Sequence, residues 1–165
     1  DPFYLTYKAR EFDVPTRFIE LAGEINTNMP RLVVSKLAEA LSFHAKKSVN
    51  GARILILGMA YKKNVDDMRE SPSLVLTELL EERGAQVDYH DPYVPVIPHT
   101  RAHSALAGRE SVELTKENLA GYDVVLISTD HDIVDYQIIG DNASLVVDTR
   151  NALNGLSTSA KIVKA

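Results

Sequence analysis

Residues 54 to 71 read ILILGMAYKKNVDDMRES, and they contain a predicted strand and the turn that follows it. Four apolar residues run directly into Gly58, which is typical of a buried parallel strand just before its turn. A dinucleotide-binding fold would continue with the pattern G-x-G-x-x-G at this point. Here Gly58 is instead followed by MAYKK, residues 59 to 63, with no second or third glycine. The stretch therefore predicts a Rossmann-like strand whose turn presents lysines where a pyrophosphate loop normally lies.

The chain beyond this strand alternates between predicted strands and helices. Ser71 is placed to cap a helix whose first residue is Pro72 and which ends at Gly84, and Thr115 can cap a shorter helix. The predicted strands are residues 53 to 57, 86 to 90, 111 to 114, 124 to 128 and 145 to 148. Such alternation favours βαβ units, and therefore a mostly parallel sheet with right-handed crossovers.

The N-terminal third of the chain has a helical period. A short helix is predicted over residues 3 to 11, ahead of Pro15, and apolar residues recur at helical spacing over residues 16 to 47. Pro30 interrupts this pattern, which predicts either a kink or two abutting helices. Val34 and Ala38 add a second apolar line beside the first. One small α/β domain covers only one such line, so we expect a homodimer through residues 16 to 47.

Composition excludes several classes of function. The 165 residues are 45% hydrophobic and 25% charged, and the net charge of -5 argues against a nucleic-acid partner. No apolar run approaches the roughly 18 residues that span a bilayer, and no signal peptide is recognisable. The absence of cysteine fits a cytoplasmic location. Because the sequence starts at Asp1 without methionine, we expect a truncated or processed chain.

Three polar clusters follow predicted strands, at residues 61 to 63, 129 to 132 and 149 to 151. Ligands of open α/β sheets bind outside the carboxyl ends of the strands, so Lys62 and Arg150 should approach one cleft there. Two cations beside an aromatic ring suit a ligand that has both a phosphate and a base. The alternative is that both are surface cations that neutralise neighbouring aspartates, namely Asp66, Asp67 or Asp148.

Other polar motifs carry weaker hypotheses. The pair Asp66-Asp67 suggests a phospho-receiver domain. In such a domain the two acids would directly follow the first strand, whereas here basic residues come first. His99 and His103 have helical metal-ligand spacing but lie in a predicted loop without a third ligand, so no metal site is expected. Asp91 ends a strand where dinucleotide folds place a ribose-binding acid, although the glycines are absent. His131 is placed where it could contact a ligand, but its expected role is that of a loop histidine hydrogen-bonded to backbone.

Several blocks of the sequence resemble the UDP-glucose/GDP-mannose dehydrogenase family. YKKNVDDMRES, residues 61 to 71, is similar to the family pattern (Y/F)KK(D/N)xxDxRES, and the blocks YHDP, STDH and VDTRN follow in the family's order. DPFYL, residues 1 to 5, resembles the segment just after the family's active-site cysteine. TRFIELAGEIN, residues 16 to 26, is similar to the central helix of the bacterial enzymes that act on UDP-N-acetylglucosamine or UDP-N-acetylmannosamine.

The resemblance implies a fold and a division into domains. Residues 1 to 50 would be the central helical dimerisation region, and residues 51 to 165 a Rossmann-like three-layer domain that binds the UDP-sugar. The family's N-terminal NAD-binding domain and its active-site cysteine have no counterpart in this sequence. NAD would therefore be bound mainly by that other domain.

The resemblance also implies roles for individual residues. Asp1 matches the catalytic aspartate, Tyr61 and Lys62 match substrate-contacting positions, Arg69 matches an arginine that reaches NAD, and Arg150 matches a substrate-binding arginine. Asn64 departs from the family pattern, because many members have aspartate at this position.

The implied activity is oxidation of the C6 alcohol of a UDP-sugar to a carboxylate by two hydride transfers, through a cysteine-bound thioester. A UDP-N-acetylhexosamine is the expected substrate class, and the product would serve polysaccharide precursor synthesis in the cytoplasm. The alternative is a non-catalytic, free-standing UDP-sugar-binding or dimerisation module. Either way, the chain by itself is expected to be inactive as a dehydrogenase.

Overall fold

The computed structural model describes residues 2 to 165 and begins with two helices, α1 (Pro2–Arg10) and α2 (Arg17–Ala40). A π-helical turn, Leu41–Ala45, continues α2 and is closed by Lys46 in the left-handed conformation. Because α2 runs through Pro30 without a break, the alternative of two abutting helices is wrong. Asp1 lies outside the described residues.

The domain that follows is built on one five-stranded parallel sheet. Its strands are β1 (Arg53–Leu57), β2 (Gln86–His90), β3 (Val124–Ile127), β4 (Leu145–Asp148) and β5 (Lys161–Lys164). The strand order is β2-β1-β3-β4-β5. Between β1 and β3 the chain passes to the far edge at β2 and returns, so the topology switches direction beside β1. The predicted α/β class with a Rossmann-like parallel sheet is confirmed.

Three helices connect the strands: α3 (Pro72–Glu82), α4 (Lys116–Ala120) and α5 (Tyr136–Asn142). The two predicted caps are present, since the Ser71 side chain accepts a bond from the Ser73 N–H and Thr115 from the Asn118 N–H. Each cap pairs a donor that the first helical turn leaves unsatisfied. Gly84 follows α3 with a φ of 84°, as a residue past a helix end often does.

Alternate residues of the strands build two separate hydrophobic cores. On one face, Ile54 and Ile56 of β1 pack with α3 and the C-terminal half of α2. On the other, Leu55 and Leu57 pack with Leu119 of α4 and with α5. Because both faces are covered, the central strands read as continuous apolar runs, and the layers are helix, sheet and helix.

One predicted strand is wrong and two elements were not predicted. Residues 111 to 114 form no strand, because this segment touches the β2 edge only through single bonds, such as the Val112 N–H to the Tyr89 carbonyl (2.8 Å). The short helix α5 and the edge strand β5 were both missed. The segment between β2 and α4 contains a 3-10 turn, Ser104–Leu106, and an isolated antiparallel bridge between Val96 and Glu110.

The two halves of α2 have different surroundings. Val34 and Leu37 in the second half are buried in the core of the domain. Phe18, Leu21 and Ile25 in the first half are 89%, 51% and 55% exposed. Helix α1 adds further exposed apolar side chains, so the N-terminal part of the chain carries a broad apolar face. No helix within residues 2 to 165 has the apolar length that a membrane crossing requires.

Candidate functional site

A cleft of about 840 Å³ lies between α2, α3 and the carboxyl ends of β3 and β4. Tyr61 enters it from the turn after β1, and Arg150 from the turn after β4. Ser128 and Thr149 line the floor between them, and Arg31 of α2 adds a second cation on the opposite wall. The residues that line the cleft thus include the aromatic ring of Tyr61, two guanidinium groups, the hydroxyls of Ser128 and Thr149 and the carboxylate of Glu70, at the ligand-binding edge of the sheet.

The Asp91 carboxylate binds the backbone of the turn after β1 from inside the domain. This carboxylate is 1% exposed, and its Oδ2 accepts bonds from the N–H groups of Met59 (2.6 Å) and Ala60 (2.8 Å). Its Oδ1 accepts from the N–H groups of Tyr93 (2.8 Å) and Val94 (3.2 Å). One side chain thus joins the turns that follow β1 and β2.

His131 extends this network into the loop after β3. The ring is fully buried, its Nδ1 accepts a bond from the Asn64 N–H (2.9 Å), and its Nε2 lies 3.0 Å from the Asp91 Oδ2. Since Nδ1 is an acceptor, Nε2 carries the proton and donates to Asp91, so the imidazole is neutral in this arrangement. The expected role of His131, a loop histidine bonded to backbone, is confirmed.

These contacts decide how a dinucleotide would fit at this turn. A Rossmann pyrophosphate binds to free backbone N–H groups at the start of the helix after the first strand. Here the Met59 and Ala60 N–H groups are used by Asp91, and Asp91 is itself buried and saturated. The described residues therefore do not form an NAD pyrophosphate site at this turn, and the weak ribose-binding hypothesis for Asp91 is wrong.

The two lysines that follow Tyr61 have different partners. The Lys62 ammonium lies 5.3 Å from the centre of the Tyr61 ring and has no carboxylate partner among residues 2 to 165. The Lys63 ammonium contacts Asp132 (2.5 Å) and Asp130 (3.7 Å). The bond to Asp132 raises the pKa of Lys63 above its usual range. Lys62 is therefore available to a ligand, while Lys63 is held in an ion-pair cluster.

Asn64 fastens this turn to the loop after β3. Its Nδ2 donates to the Asp132 carboxylate (2.7 Å), and its Oδ1 accepts from the Asp132 N–H (2.9 Å). Asn64 has a φ of 61°, in the left-handed region that asparagine tolerates better than most residues. An aspartate here would lose the donor and face the Asp132 carboxylate, so the departure from the family pattern has a structural reason.

Arg150 is also held by an acid. Its Nε donates to the Asp130 Oδ1 (3.0 Å), and its backbone N–H donates to the Asp148 Oδ1 (2.9 Å). The alternative that cations here neutralise surface acids thus fits Arg150 and Lys63 in part, but through Asp130 and Asp132. Arg150 still lines the cleft, with about half of its side chain exposed.

Arg69 lies apart from this cluster. Its guanidinium binds the Asp67 carboxylate through Nε (3.0 Å) and Nη2 (2.8 Å) and is 88% exposed. These bonds lower the pKa of Asp67 to about 2, so the carboxylate stays charged from neutral pH down to near that value. Arg69 does not line the cleft between α2 and α3.

The structure thus brings some of the predicted site residues together and separates others. Tyr61 and Arg150 share the cleft, Lys62 stands at its edge without lining it, and Arg69 faces another surface. Sequence reasoning missed Arg31, because its place on the helix opposite the sheet edge depends on how α2 packs. Within residues 2 to 165, no group of three metal-ligating side chains is present.

Comparison with known proteins gives a consistent set of relatives. A UDP-N-acetyl-D-mannosamine dehydrogenase from Methanococcus maripaludis is 31% identical over 133 residues, which are 81% of this chain and 27% of that protein. A UDP-N-acetyl-D-glucosamine 6-dehydrogenase from Pseudomonas aeruginosa is 35% identical over 94 residues, 57% of this chain and 22% of that protein. The chain spans about a quarter of the length of these two curated relatives.

Comparison with solved structures finds dehydrogenases of the same kind. The UDP-D-ManNAc dehydrogenase from Pyrococcus horikoshii superposes with a TM-score of 0.77 at 27% identity, over 99% of this chain and 36% of that one. A family model described as the UDP-binding domain of the UDP-glucose/GDP-mannose dehydrogenase family matches residues 55–155. That range runs from β1 through the turn that carries Arg150. The chain belongs to the UDP-glucose/GDP-mannose dehydrogenase family, and the greater part of it is that family's UDP-binding domain.

Proposed function

We propose that this chain is the UDP-sugar-binding and dimerisation part of an NAD-dependent UDP-sugar 6-dehydrogenase. The observation that carries the proposal is the cleft at the carboxyl edge of the sheet, where Tyr61 and Arg150 meet within the region matched by a UDP-binding family model. Arg150 and Lys62 would bind the diphosphate, and the Tyr61 ring would provide an apolar face beside it. Residues 51 to 165 would form the binding domain.

The parent reaction would oxidise the C6 alcohol of the sugar to a carboxylate, in the service of polysaccharide precursor synthesis. NAD, when bound, would accept the hydrides. Since the turn after β1 is closed by Asp91, NAD would be held mainly by a part of the enzyme that this chain does not cover. Asp1 would assist the chemistry, and Arg69, exposed at the surface, would reach across to the cofactor. The UDP-N-acetylmannosamine and UDP-N-acetylglucosamine dehydrogenases among the relatives support a UDP-N-acetylhexosamine as substrate.

UDP should stabilise the chain against heat, and Lys62→Ala should weaken that effect. At a UDP concentration of 100 times Kd, the melting temperature should rise by about 5–10 °C. Loss of one charge-assisted contact should weaken binding about ten- to a hundredfold. Lys63→Ala is the comparison variant and should weaken binding much less, because it removes the same charge from a residue whose ammonium is already held by Asp132 and does not line the cleft. Thermal unfolding at several UDP concentrations and fixed salt gives both affinities. Equal losses for the two variants would indicate a diffuse basic patch and contradict the role of Lys62.

The chain alone should produce no NADH from NAD and any UDP-sugar. It contains no cysteine to form the thioester, and its Rossmann-like turn is closed to a dinucleotide. Absorbance at the NADH band over several hours, with UDP-N-acetylmannosamine, UDP-N-acetylglucosamine and UDP-glucose in parallel, measures this. Turnover of any of the three would contradict both the assignment of NAD to another domain and the match of Asp1.

The chain should be a homodimer through α2, and Ile25→Glu should dissociate it. Ile25 is 55% exposed on the apolar face of the first half of α2, so a charge there disrupts an interface without entering the chain's own core. Val33, which lies on the same predicted line, is 8% exposed and belongs to that core, so it makes a poor test. Ile133→Glu, at another exposed isoleucine, is the control.

Sedimentation equilibrium at tens of micromolar should give a dimer for the unaltered chain and for Ile133→Glu, and a monomer for Ile25→Glu. A monomer for the unaltered chain would remove the dimerisation role from the proposal. It would leave the UDP-binding role untouched.

A further inference from the structure

Asp130 places a negative charge beside a site that should bind an anion. The residue lies in the loop after β3, its side chain is 22% exposed, and its carboxylate reaches both Arg150 and Lys63. A carboxylate close to a diphosphate repels it, so on charge alone this residue would weaken binding. Any favourable effect of Asp130 on binding must therefore come from its contact with Arg150 and not from its charge.

The geometry of the Arg150 contact allows such an effect. Asp130 Oδ1 accepts a bond from Nε at 3.0 Å, and Asp130 makes no bond to the outer nitrogens of the guanidinium. Among residues 2 to 165, neither Nη1 nor Nη2 of Arg150 has a hydrogen-bond partner. A bond at Nε alone restricts the plane of the guanidinium and leaves Nη1 and Nη2, which can bind a phosphate through two parallel bonds, free for a ligand.

The surroundings of Asp130 limit the cost of its charge. Lys63 lies 3.7 Å from its Oδ2 and is itself held by Asp132. Asn64 binds both the side chain and the backbone of Asp132, so the lysine and the two acids are fixed to one another. This cluster connects the turn that carries Tyr61 and Lys62 to the loop after β3, whose Asp130 binds the Arg150 side chain.

We propose that Asp130 is a positioning residue of the UDP site, which orients the Arg150 guanidinium towards the cleft through its bond to Nε. The inference rests on the proposed function, because it requires that UDP binds in this cleft. Side chains that hold a ligand-binding group in one orientation spare the ligand the entropy of ordering it. Asp130 thus improves binding through Arg150 by more than its own charge weakens it.

The two contributions have opposite signs, which makes the test decisive. UDP is titrated calorimetrically, at fixed salt, into the unaltered chain and into Asp130→Ala, Asp130→Asn, Arg150→Ala and the double variant Asp130→Ala/Arg150→Ala. Asp130→Ala should weaken binding about tenfold, the lower end of the range for a charge-assisted bond. Asp130→Asn retains an oxygen that accepts from Nε, so it should remain within about threefold of the unaltered chain. The double variant should bind no more weakly than Arg150→Ala, because without Arg150 there is nothing to position.

Several results would overturn the proposal. If Asp130→Ala binds UDP as well as the unaltered chain does, or better, Asp130 affects binding only by repelling the diphosphate. A double variant weaker than Arg150→Ala by the full factor of Asp130→Ala would show that Asp130 acts independently of Arg150. If Asp130→Asn binds UDP as weakly as Asp130→Ala, an oxygen that accepts from Nε does not preserve the effect, and orientation of Arg150 through that bond is not its cause. Glu117→Ala removes an exposed carboxylate from α4 and should leave the affinity unchanged. If the unaltered chain itself fails to bind UDP, the proposed function falls as well, and this baseline separates the two failures.

Discussion

Asp91→Ala is expected to lower the free energy of unfolding by about 3–5 kcal/mol, the range for removing one partner from a buried charged network. The substitution leaves the N–H groups of Met59, Ala60 and Tyr93 and the Nε2–H of His131 without the acceptor that they use here. The Val94 N–H keeps its bond to the backbone carbonyl oxygen of residue 91 (3.3 Å). Each buried donor left unsatisfied costs on the order of 1–3 kcal/mol before the structure relaxes. Relaxation and entering water recover part of the sum, which is why the expected loss is smaller than the total.

Urea unfolding followed by circular dichroism measures this loss, with Asp66→Ala as the matched control. Asp66 is exposed in the same turn and should change stability by less than about 0.5 kcal/mol. Asp91→Ala should also lower the affinity of the remaining folded protein for UDP. The reason is that the turn that carries Tyr61 and Lys62 loses its hydrogen bonds to the Asp91 carboxylate. An Asp91→Ala variant as stable as Asp66→Ala would contradict the account of this turn.

Gly58→Ala should cost about 3 kcal/mol or more. The residue has a φ of 84°, which costs an L-residue roughly 1–2 kcal/mol. In addition, a Cβ at this position would lie 2.5 Å from the Thr129 Cβ and closer still to the Thr129 carbonyl oxygen. That oxygen is backbone in the loop after β3, so it cannot rotate away as a side chain would. The strain therefore adds to the conformational cost.

Gly155→Ala separates these two contributions. Gly155 has nearly the same φ, 81°, but an added Cβ there meets nothing within 4 Å. This control should lose only the conformational part, about 1–2 kcal/mol. Thermal unfolding of both variants without ligand gives the comparison. If Gly58→Ala and Gly155→Ala lose equal stability, the turns after β1 and β3 are not in the close contact described here.

Signals within a few residues of each other were enough to predict most of the fold. The apolar runs of β1, β3 and β4 and the cap at Ser71 depend on local chemistry, and all are present in the structure. Strand β5 was missed because its four residues begin and end with lysine and lie at the edge of the sheet, where only two apolar side chains are needed. Residues 111 to 114 have the composition of a strand, but they have no continuous partner.

The site was less predictable because its contacts join distant parts of the chain. Sequence position placed Asp91 at a strand end, where it could equally have faced a ligand or the interior, and only packing shows that it is saturated from inside. Asp130 was part of a predicted polar cluster, but its bond to Arg150 depends on β3 and β4 being neighbours. Lys62 was predicted to enter the cleft, whereas it stands at the edge beside Tyr61. Its contribution to ligand binding stays a prediction.

We expect the cleft lined by Tyr61 and Arg150 to bind UDP. The most direct measurement is a calorimetric titration of UDP into this chain and into Arg150→Ala, with Arg83→Ala as control. Arg83 is the exposed residue that follows the last turn of α3, and it does not line the cleft. The account predicts saturable binding of one UDP per chain, about ten- to a hundredfold weaker for Arg150→Ala and unchanged for Arg83→Ala. The absence of binding to the unaltered chain, or equal affinity for all three proteins, would contradict it.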